Sequence, residues 1–247
     1  MPQIESFKSD VLKPEEVWRK ESQRFRLALL DRCSGEDSLK VNEALDFMEL
    51  LYSEGDARLE ARPYVSHAIE VARHLLVDFG IKDRDLLIAG ILHDMIEDES
   101  DRLALFVTET KTGESSRPAA EQALRAKYGD HVTGLILKLS NPETVDKSKK
   151  NEIYLEHLKE LVKDPEAATL KYADFSTNAL RLDMISDPKR QARLKEKYAP
   201  AIKDVFIPLF ENMPSDHPLF PYKDQALMEL RSSYEKYYQP QPEVAAY

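Results

Sequence analysis

Glycine is scarce in this chain: 7 among 247 residues, with none after Gly134. Tight turns between strands lean on glycine because they need positive φ, so a chain this poor in it is steered away from sheets. The 14 prolines punctuate instead, half of them from Pro200 onward. Apolar residues recur at helical spacing in Val41, Ala44, Leu45, Met48, Leu51 and Tyr52, and again in Ile69, Ala72, Leu75, Leu76 and Phe79. The run Leu86–Leu92 is apolar on every side but for Gly90 and reads as a helix through the middle of the core. A strand is the competing reading of so short a run, and its continuation into His93–Glu99 without a turn signal favours the helix. Asp164-Pro165 opens a helix predicted to run through Ala173 and Leu180 to about Ile185, and Asp187-Pro188 opens the next.

The reading is an all-α bundle of about ten helices in a single domain. It has an N-terminal helical extension over 1–39, a core over 40–205 and a C-terminal helical segment with its tail over 206–247. Trp18, with Phe25, Leu27 and Leu30 nearby, is expected to anchor the first helix on the core rather than to form a binding box. Loops are expected at 53–62, 109–116 and 141–150. A proline-rich link at 212–222 leads to a final helix over 224–238, and 239–247 is expected to fray.

Composition narrows the function. A hydrophobic share of 42% suffices for a core, and no apolar stretch approaches the roughly 20 residues of a bilayer span. The first ten residues lack the pattern of a secretory signal. A lone Cys33 excludes an intrachain disulfide and a thiolate zinc site, so a reducing cytoplasm is expected. The net charge of −10 argues against nucleic acid as a partner, while leaving room for a small anionic substrate met by a local cluster of cations.

The chemistry concentrates in His93-Asp94-Met95-Ile96-Glu97-Asp98. On a continuous helix His93 stacks with Glu97 and Asp94 with Asp98, which puts the polar groups on one face at the end of the apolar run. Carboxylates crowded beside an imidazole call for a cation, and a divalent metal is the economical one. A solvated acidic helix end is the alternative for the hexapeptide alone. His67 lies on the preceding helix, where a packing role is the plain alternative. Asp174 lies beside a buried stripe, where a salt bridge with a lysine would serve it equally. Asn178 shares its face.

Taken together, these residues resemble the HD metal-dependent phosphohydrolase superfamily. More narrowly they resemble the hydrolase domain of the RelA/SpoT family, which removes the 3′-pyrophosphate from (p)ppGpp. The similar segments are Arg58, Pro63-Tyr64, His67, Val71-Ala72, Leu86–Glu99, Leu170–Asn178 and Tyr198-Ala199-Pro200, spread over about 40–205. Size and layout are similar to a stand-alone small alarmone hydrolase. The resemblance implies that His67, His93, Asp94 and Asp174 hold Mn²⁺ and that Glu97 and Asp98 are the acid/base pair. It also implies that Arg58 packs on the guanine base and that Asn178 contacts the substrate. Arg181, three residues after Asn178, is a further candidate for substrate binding by its spacing, although the family's arginine comes two residues after its asparagine, and Tyr198 is another, with packing as its alternative. A metal-activated water would attack the 3′-linked phosphorus. The implied setting is cytoplasmic, without nucleic acid or membrane, with a separate alarmone synthetase as functional counterpart.

Departures from the family pattern cluster where substrate choice is tuned: Ala68 for the usual proline, Glu99 for threonine, and Phe175 for the basic residue after the aspartate. Leu59–Arg62 also lacks the usual lysine and glycine, and the stretch between Asp98 and Asp174 is longer than usual. Two rivals follow, an HD phosphohydrolase for another nucleotide and a non-catalytic HD module that senses nucleotide or binds protein. Lys147, Lys149 and Lys150 could meet phosphates, although a solvated charge run is the better reading of such a loop.

Overall fold

The computed structural model describes residues 14–52, 64–106, 116–142 and 146–239. Among these residues there is no strand. The helices in chain order are α1 (Pro14–Arg32), α2 (Gly35–Tyr52), α3 (Tyr64–Arg73), α4 (Arg84–Leu92), α5 (Met95–Asp98), α6 (Ser100–Ala104), α7 (Ser116–Leu139), α8 (Lys150–Leu161), α9 (Pro165–Ala179), α10 (Pro188–Ala201), α11 (Ile207–Glu211) and α12 (Lys223–Ser233). Short π turns extend α3 through Asp78, join α10 to α11, and extend α12 through Tyr238. One hydrophobic core runs from Phe25 to Tyr238. No described helix is long and apolar enough to cross a membrane.

Helix α4 is the axis of this core. Every residue from Leu86 to Leu92 is buried, and α2, α3, α7 and α9 all pack against it. Each fully buried leucine or isoleucine there contributes about 1.5–3 kcal/mol. Gly90 permits the closest approach, since a Cβ at that position would stand 2.5 Å from Leu75 Cδ1. The helix expected through the middle of the core is therefore present.

Aspartates set the helix starts. Asp83 accepts from Leu86 N at 2.9 Å. Asp164 accepts from Glu166 N at 3.0 Å and from Ala167 N at 3.2 Å, with Pro165 behind it. Asp187 accepts from Lys189 N at 3.0 Å ahead of Pro188. Burial works to raise the Asp164 carboxyl, yet Lys138 and the two amides hold it below the usual carboxylate range. Asp164→Ala should therefore cost about 1 kcal/mol at pH 7. A depressed pKa means the stabilisation is present above the unfolded value near 4 and is lost as pH falls through the folded one. Urea denaturation of both proteins checks this: the gap between them should close toward pH 2–3, and a gap that persists there would refute the assignment.

Three expectations are corrected. The helix from Pro165 stops at Ala179 rather than near Ile185, because Leu180 (φ −86°, ψ 3°) and Arg181 (φ −131°, ψ 41°) leave helical geometry. The apolar run does not pass unbroken into the acidic segment: α4 ends at Leu92, and a turn at His93–Asp94 precedes α5. On α1 Trp18 packs partly buried against the core as expected, and Phe25 and Leu29 are sealed at 1% and 0% exposure, whereas Leu27 and Leu30 face solvent at 67% and 65%. The expected loop at 53–62, most of that at 109–116, part of that at 141–150, and the tail from 240 lie outside the described residues. The final helix is present as α12 and its π extension.

Candidate metal centre

Three elements far apart in sequence meet at one point. α3 brings His67, the turn after α4 brings His93 and Asp94, and α9 brings Asp174. His67 Nε2 lies 3.2 Å from Asp174 Oδ1 and 3.7 Å from Asp94 Oδ2. His93 Nε2 lies 3.2 Å from Asp94 Oδ1 and 3.8 Å from Asp174 Oδ1. The two imidazole rings are 5.2 Å apart, centre to centre.

Both rings are aimed. His93 Nδ1 is 2.9 Å from the Gly90 carbonyl, which can only accept, so Nδ1 carries the hydrogen and the Nε2 lone pair faces inward. Thr177 Oγ1 donates to the Asp174 carbonyl at 2.7 Å and stands 3.4 Å from His67 Nδ1, which turns its own Nε2 inward too. Both Nε2 atoms are buried, and neither makes an aligned hydrogen bond, although a carboxylate oxygen stands 3.2 Å from each. Burying a polar nitrogen unpaired is costly. A cation removes that cost. Donor atoms sharing one cation at about 2.1 Å each stand about 3.0–3.5 Å apart, close to the separations here. One ligand atom from each of His67, His93 and Asp174 lies within 4.8 Å of the others. Two imidazoles and two carboxylates without thiolate suit a hydrolytic divalent metal.

The surroundings want positive charge. Burial works to lower the His93 pKa, but Asp94 and Asp174 beside it push it up to about 9. Burial opposes ionisation of Asp94, yet His93 and His67 hold its carboxyl well below the usual range. Asp174 is likewise held well below, Lys171 and the two histidines outweighing burial. Lys171, 5% exposed, binds Asp174 Oδ2 at 3.1 Å, while Asn178 Nδ2 donates to Oδ1 at 2.8 Å. Asn178 and Lys171 thus clamp the carboxylate that the sequence singled out.

A cavity of about 260 Å³ opens on this cluster, and Asp94, Glu97, Asp98, Tyr198, Arg190 and Lys197 are among its walls. The single stacked face expected for the acidic hexapeptide is replaced by a turn. Asp94 O accepts from both Glu97 N and Asp98 N, at 3.0 and 2.9 Å, which swings the two carboxylates to the rim while His93 stays sealed below. Glu97 accepts from Asn141 N at 2.6 Å and from Asn141 Nδ2 at 3.2 Å. Tyr52 OH donates to Asp98 at 3.4 Å, and its ring stacks on Tyr64.

Among the substrate candidates, Asn178 and Tyr198 line the cavity, and Tyr198 packs edge-on to Phe175. Arg181 is not brought here. It pairs with Glu70 and lines a different cavity, because α9 ends before it. Arg58 lies outside the described residues. Asn141, Tyr154, Lys171 and Lys197 were missed as site residues. A polar or cationic residue at helical spacing from a candidate ligand, as Lys171 is from Asp174, was the one signal available.

The HD domain profile matches residues 44–212. This chain belongs to the HD-domain family. Within that family it falls with the RelA/SpoT-type hydrolases. A mouse (Mus musculus) protein named guanosine-3′,5′-bis(diphosphate) 3′-pyrophosphohydrolase MESH1 is 32% identical over 125 residues, covering 43% of this chain and 70% of its own. A Haemophilus influenzae protein of the same enzymatic name is 22% identical over 168 residues, covering 66% of this chain and 21% of its own. This HD-domain chain thus spans about a fifth of the length of that relative. A solved structure described as a metazoan ortholog of SpoT that hydrolyzes ppGpp has the same fold, with TM-score 0.53 and 18% identity over 80% of this chain and 94% of that one.

Proposed function

We propose that the chain is a Mn²⁺-dependent (p)ppGpp 3′-pyrophosphohydrolase. One observation carries the reading: two buried imidazole nitrogens that make no aligned hydrogen bond converge on two carboxylates, beside a further pair of acids at the cavity rim. The names of the relatives support the reaction class. His67, His93, Asp94 and Asp174 hold the cation, which when bound supplies Lewis acidity toward a water molecule and the phosphate. Lys171 and Asn178 keep Asp174 ionised and aimed. Glu97 and Asp98 take the proton from the attacking water and return one to the departing ribose 3′ oxygen. Water and ppGpp then give GDP and pyrophosphate. Arg58 stacks on guanine in this reading, where a planar cation does what lysine does not. A cytoplasmic setting and a separate synthetase as counterpart belong to the same proposal.

The test is product analysis with purified protein, ppGpp and Mn²⁺. Pyrophosphate and GDP are expected, lost on chelation and restored by Mn²⁺ better than by Mg²⁺ or Zn²⁺. Cation binding without turnover of ppGpp would refute the substrate. Phe175 favours a second reading. It forms part of the wall of the metal-side cavity, at the position where the family resemblance leads one to expect a basic residue, which would suit hydrolysis of a different nucleotide, and the same assay over adenosine and guanosine 3′-phosphorylated nucleotides separates the two.

A further inference from the structure

Each acid at the cavity rim is met by a polar group from a distant part of the chain. Glu97 is met by Asn141, just past the end of α7. Asp98 is met by Tyr52, the last residue of α2, whose hydroxyl donates to Oδ2 at 3.4 Å. In the sequence Tyr52 closes the apolar stripe of α2 and reads as a core residue. Its ring is core: the residue is 7% exposed and belongs to the central hydrophobic cluster. Its hydroxyl belongs to the site.

Packing of the ring does not require that hydroxyl. Tyr52 and Tyr64 stack with ring centres 5.5 Å apart and planes 7° from parallel, and a phenylalanine would fill the same space. A buried phenol oxygen needs a hydrogen-bond partner, and here the partner is the carboxylate of an acid assigned to proton transfer. Asp98 lines the metal-side cavity, whereas Tyr52 is not among the described residues that do. The hydroxyl therefore reaches Asp98 from the core side, and a molecule in the cavity meets the carboxylate and not the tyrosine.

Arg102 fixes the spacing between the two residues. It donates to the carbonyl of Leu51, the residue before Tyr52, and stands 3.3 Å from the carboxylate of Glu99, the residue after Asp98. One guanidinium thus ties the end of α2 to the end of α5. Asp98 N is itself bonded to Asp94 O at 2.9 Å, so the backbone beneath the carboxylate is held as well. What remains free is rotation of the Asp98 side chain about its own bonds, and that is the motion a hydrogen bond from Tyr52 restricts.

We propose that Tyr52 is a positioning residue for Asp98: its hydroxyl, braced by Tyr64 and Arg102, turns the carboxylate toward the water that attacks the phosphorus. The inference rests on the 3′-pyrophosphohydrolase reading above and adds to it a residue that acts only through Asp98. Proton transfer requires the carboxylate within hydrogen-bond reach of that water, and misplacing a reacting group by about 1 Å costs on the order of a hundredfold. When Asp98 takes a proton from the water, Tyr52 keeps its own, so its part is geometric throughout.

The experiment is steady-state hydrolysis of ppGpp with Mn²⁺ by variants of the whole chain. Tyr52→Phe should lower kcat about five- to twentyfold, the weight of one long hydrogen bond to a carboxylate. KM should stay within about twofold, and the Mn²⁺-induced rise in melting temperature should be unchanged. In an Asp98→Asn background the same substitution should cost less than about twofold, because no carboxylate is left to aim. A merely structural role would cost the same factor in both backgrounds. Arg102→Met loosens the same contact from the backbone and should show the same dependence on Asp98, which answers the question independently if Tyr52→Phe fails to fold. Unchanged kcat, a loss carried by KM, or equal losses in both backgrounds would overturn the role alone, provided the wild type releases pyrophosphate. No release by the wild type overturns the parent reading and the role with it.

Discussion

Asp174→Ala is expected to abolish divalent-cation binding and to cost about 3–5 kcal/mol of folding stability. Two losses coincide in this one side chain. Oδ1 faces both histidine Nε2 atoms, at 3.2 and 3.8 Å, and belongs to the candidate cluster. Oδ2 is the carboxylate partner of Lys171, whose ammonium is otherwise buried. Burial works to lower the Lys171 pKa, and the carboxylates of Asp174, Asp94 and Glu97 outweigh it. Removing Asp174 leaves that charge without its nearest compensation. Adding Lys171→Met should therefore recover much of the stability, while cation binding and turnover stay absent. Urea denaturation reads the first effect. The second is read by the rise in melting temperature on adding Mn²⁺, which for the wild type corresponds to about 2.7 kcal/mol at a hundred times Kd. A single variant as stable as wild type that still responds to Mn²⁺ would show that Asp174 had been misassigned.

Asp98→Asn should lower turnover by about 10²–10⁴-fold while the Mn²⁺-induced stabilisation stays near the wild-type value. The carboxylate sits at the cavity rim under the Tyr52 hydroxyl, and no contact joins it to His67 or His93 among the described residues. The amide keeps the shape and removes the proton-carrying function. Loss of cation binding in this variant would move Asp98 into the ligand set, and full turnover would remove it from catalysis. Glu97→Gln tests the other member of the pair. Glu97 also holds the Asn141 backbone, so part of its loss should appear as a higher KM as the cavity wall at Asn141 loosens.

Local signals were legible where the physics is local. The Asp-Pro starts of α9 and α10 depend on a carboxylate bonding amides two or three residues away and on a proline in the first turn, all of it in adjacent sequence. The burial of α4 followed from an apolar run with no polar side. The ends and the faces were harder. A helix continued to Ile185 would hold Arg181 one turn beyond Asn178 on a shared face, whereas the chain turns at Leu180 and sends it to Glu70. On α1, Leu27 and Leu30 look as apolar as Leu29, and only packing against α3 and α2 selects the stripe of Phe25 and Leu29.

The candidate ligands could be named from the chain because imidazole and carboxylate chemistry is carried by residue type, and the pattern at 67, 93, 94 and 174 is that of a known family. The all-helical class was equally determined there, by the lack of glycine and the three- and four-residue apolar period. Tertiary structure alone decided the rest. It sealed His93 below the rim, gave Asp174 a buried lysine, brought Asn141 to Glu97 and set the Tyr52 hydroxyl against Asp98. Each of these depends on distances between elements separated by tens of residues, and such distances are set by packing around α4, which no short window of sequence contains.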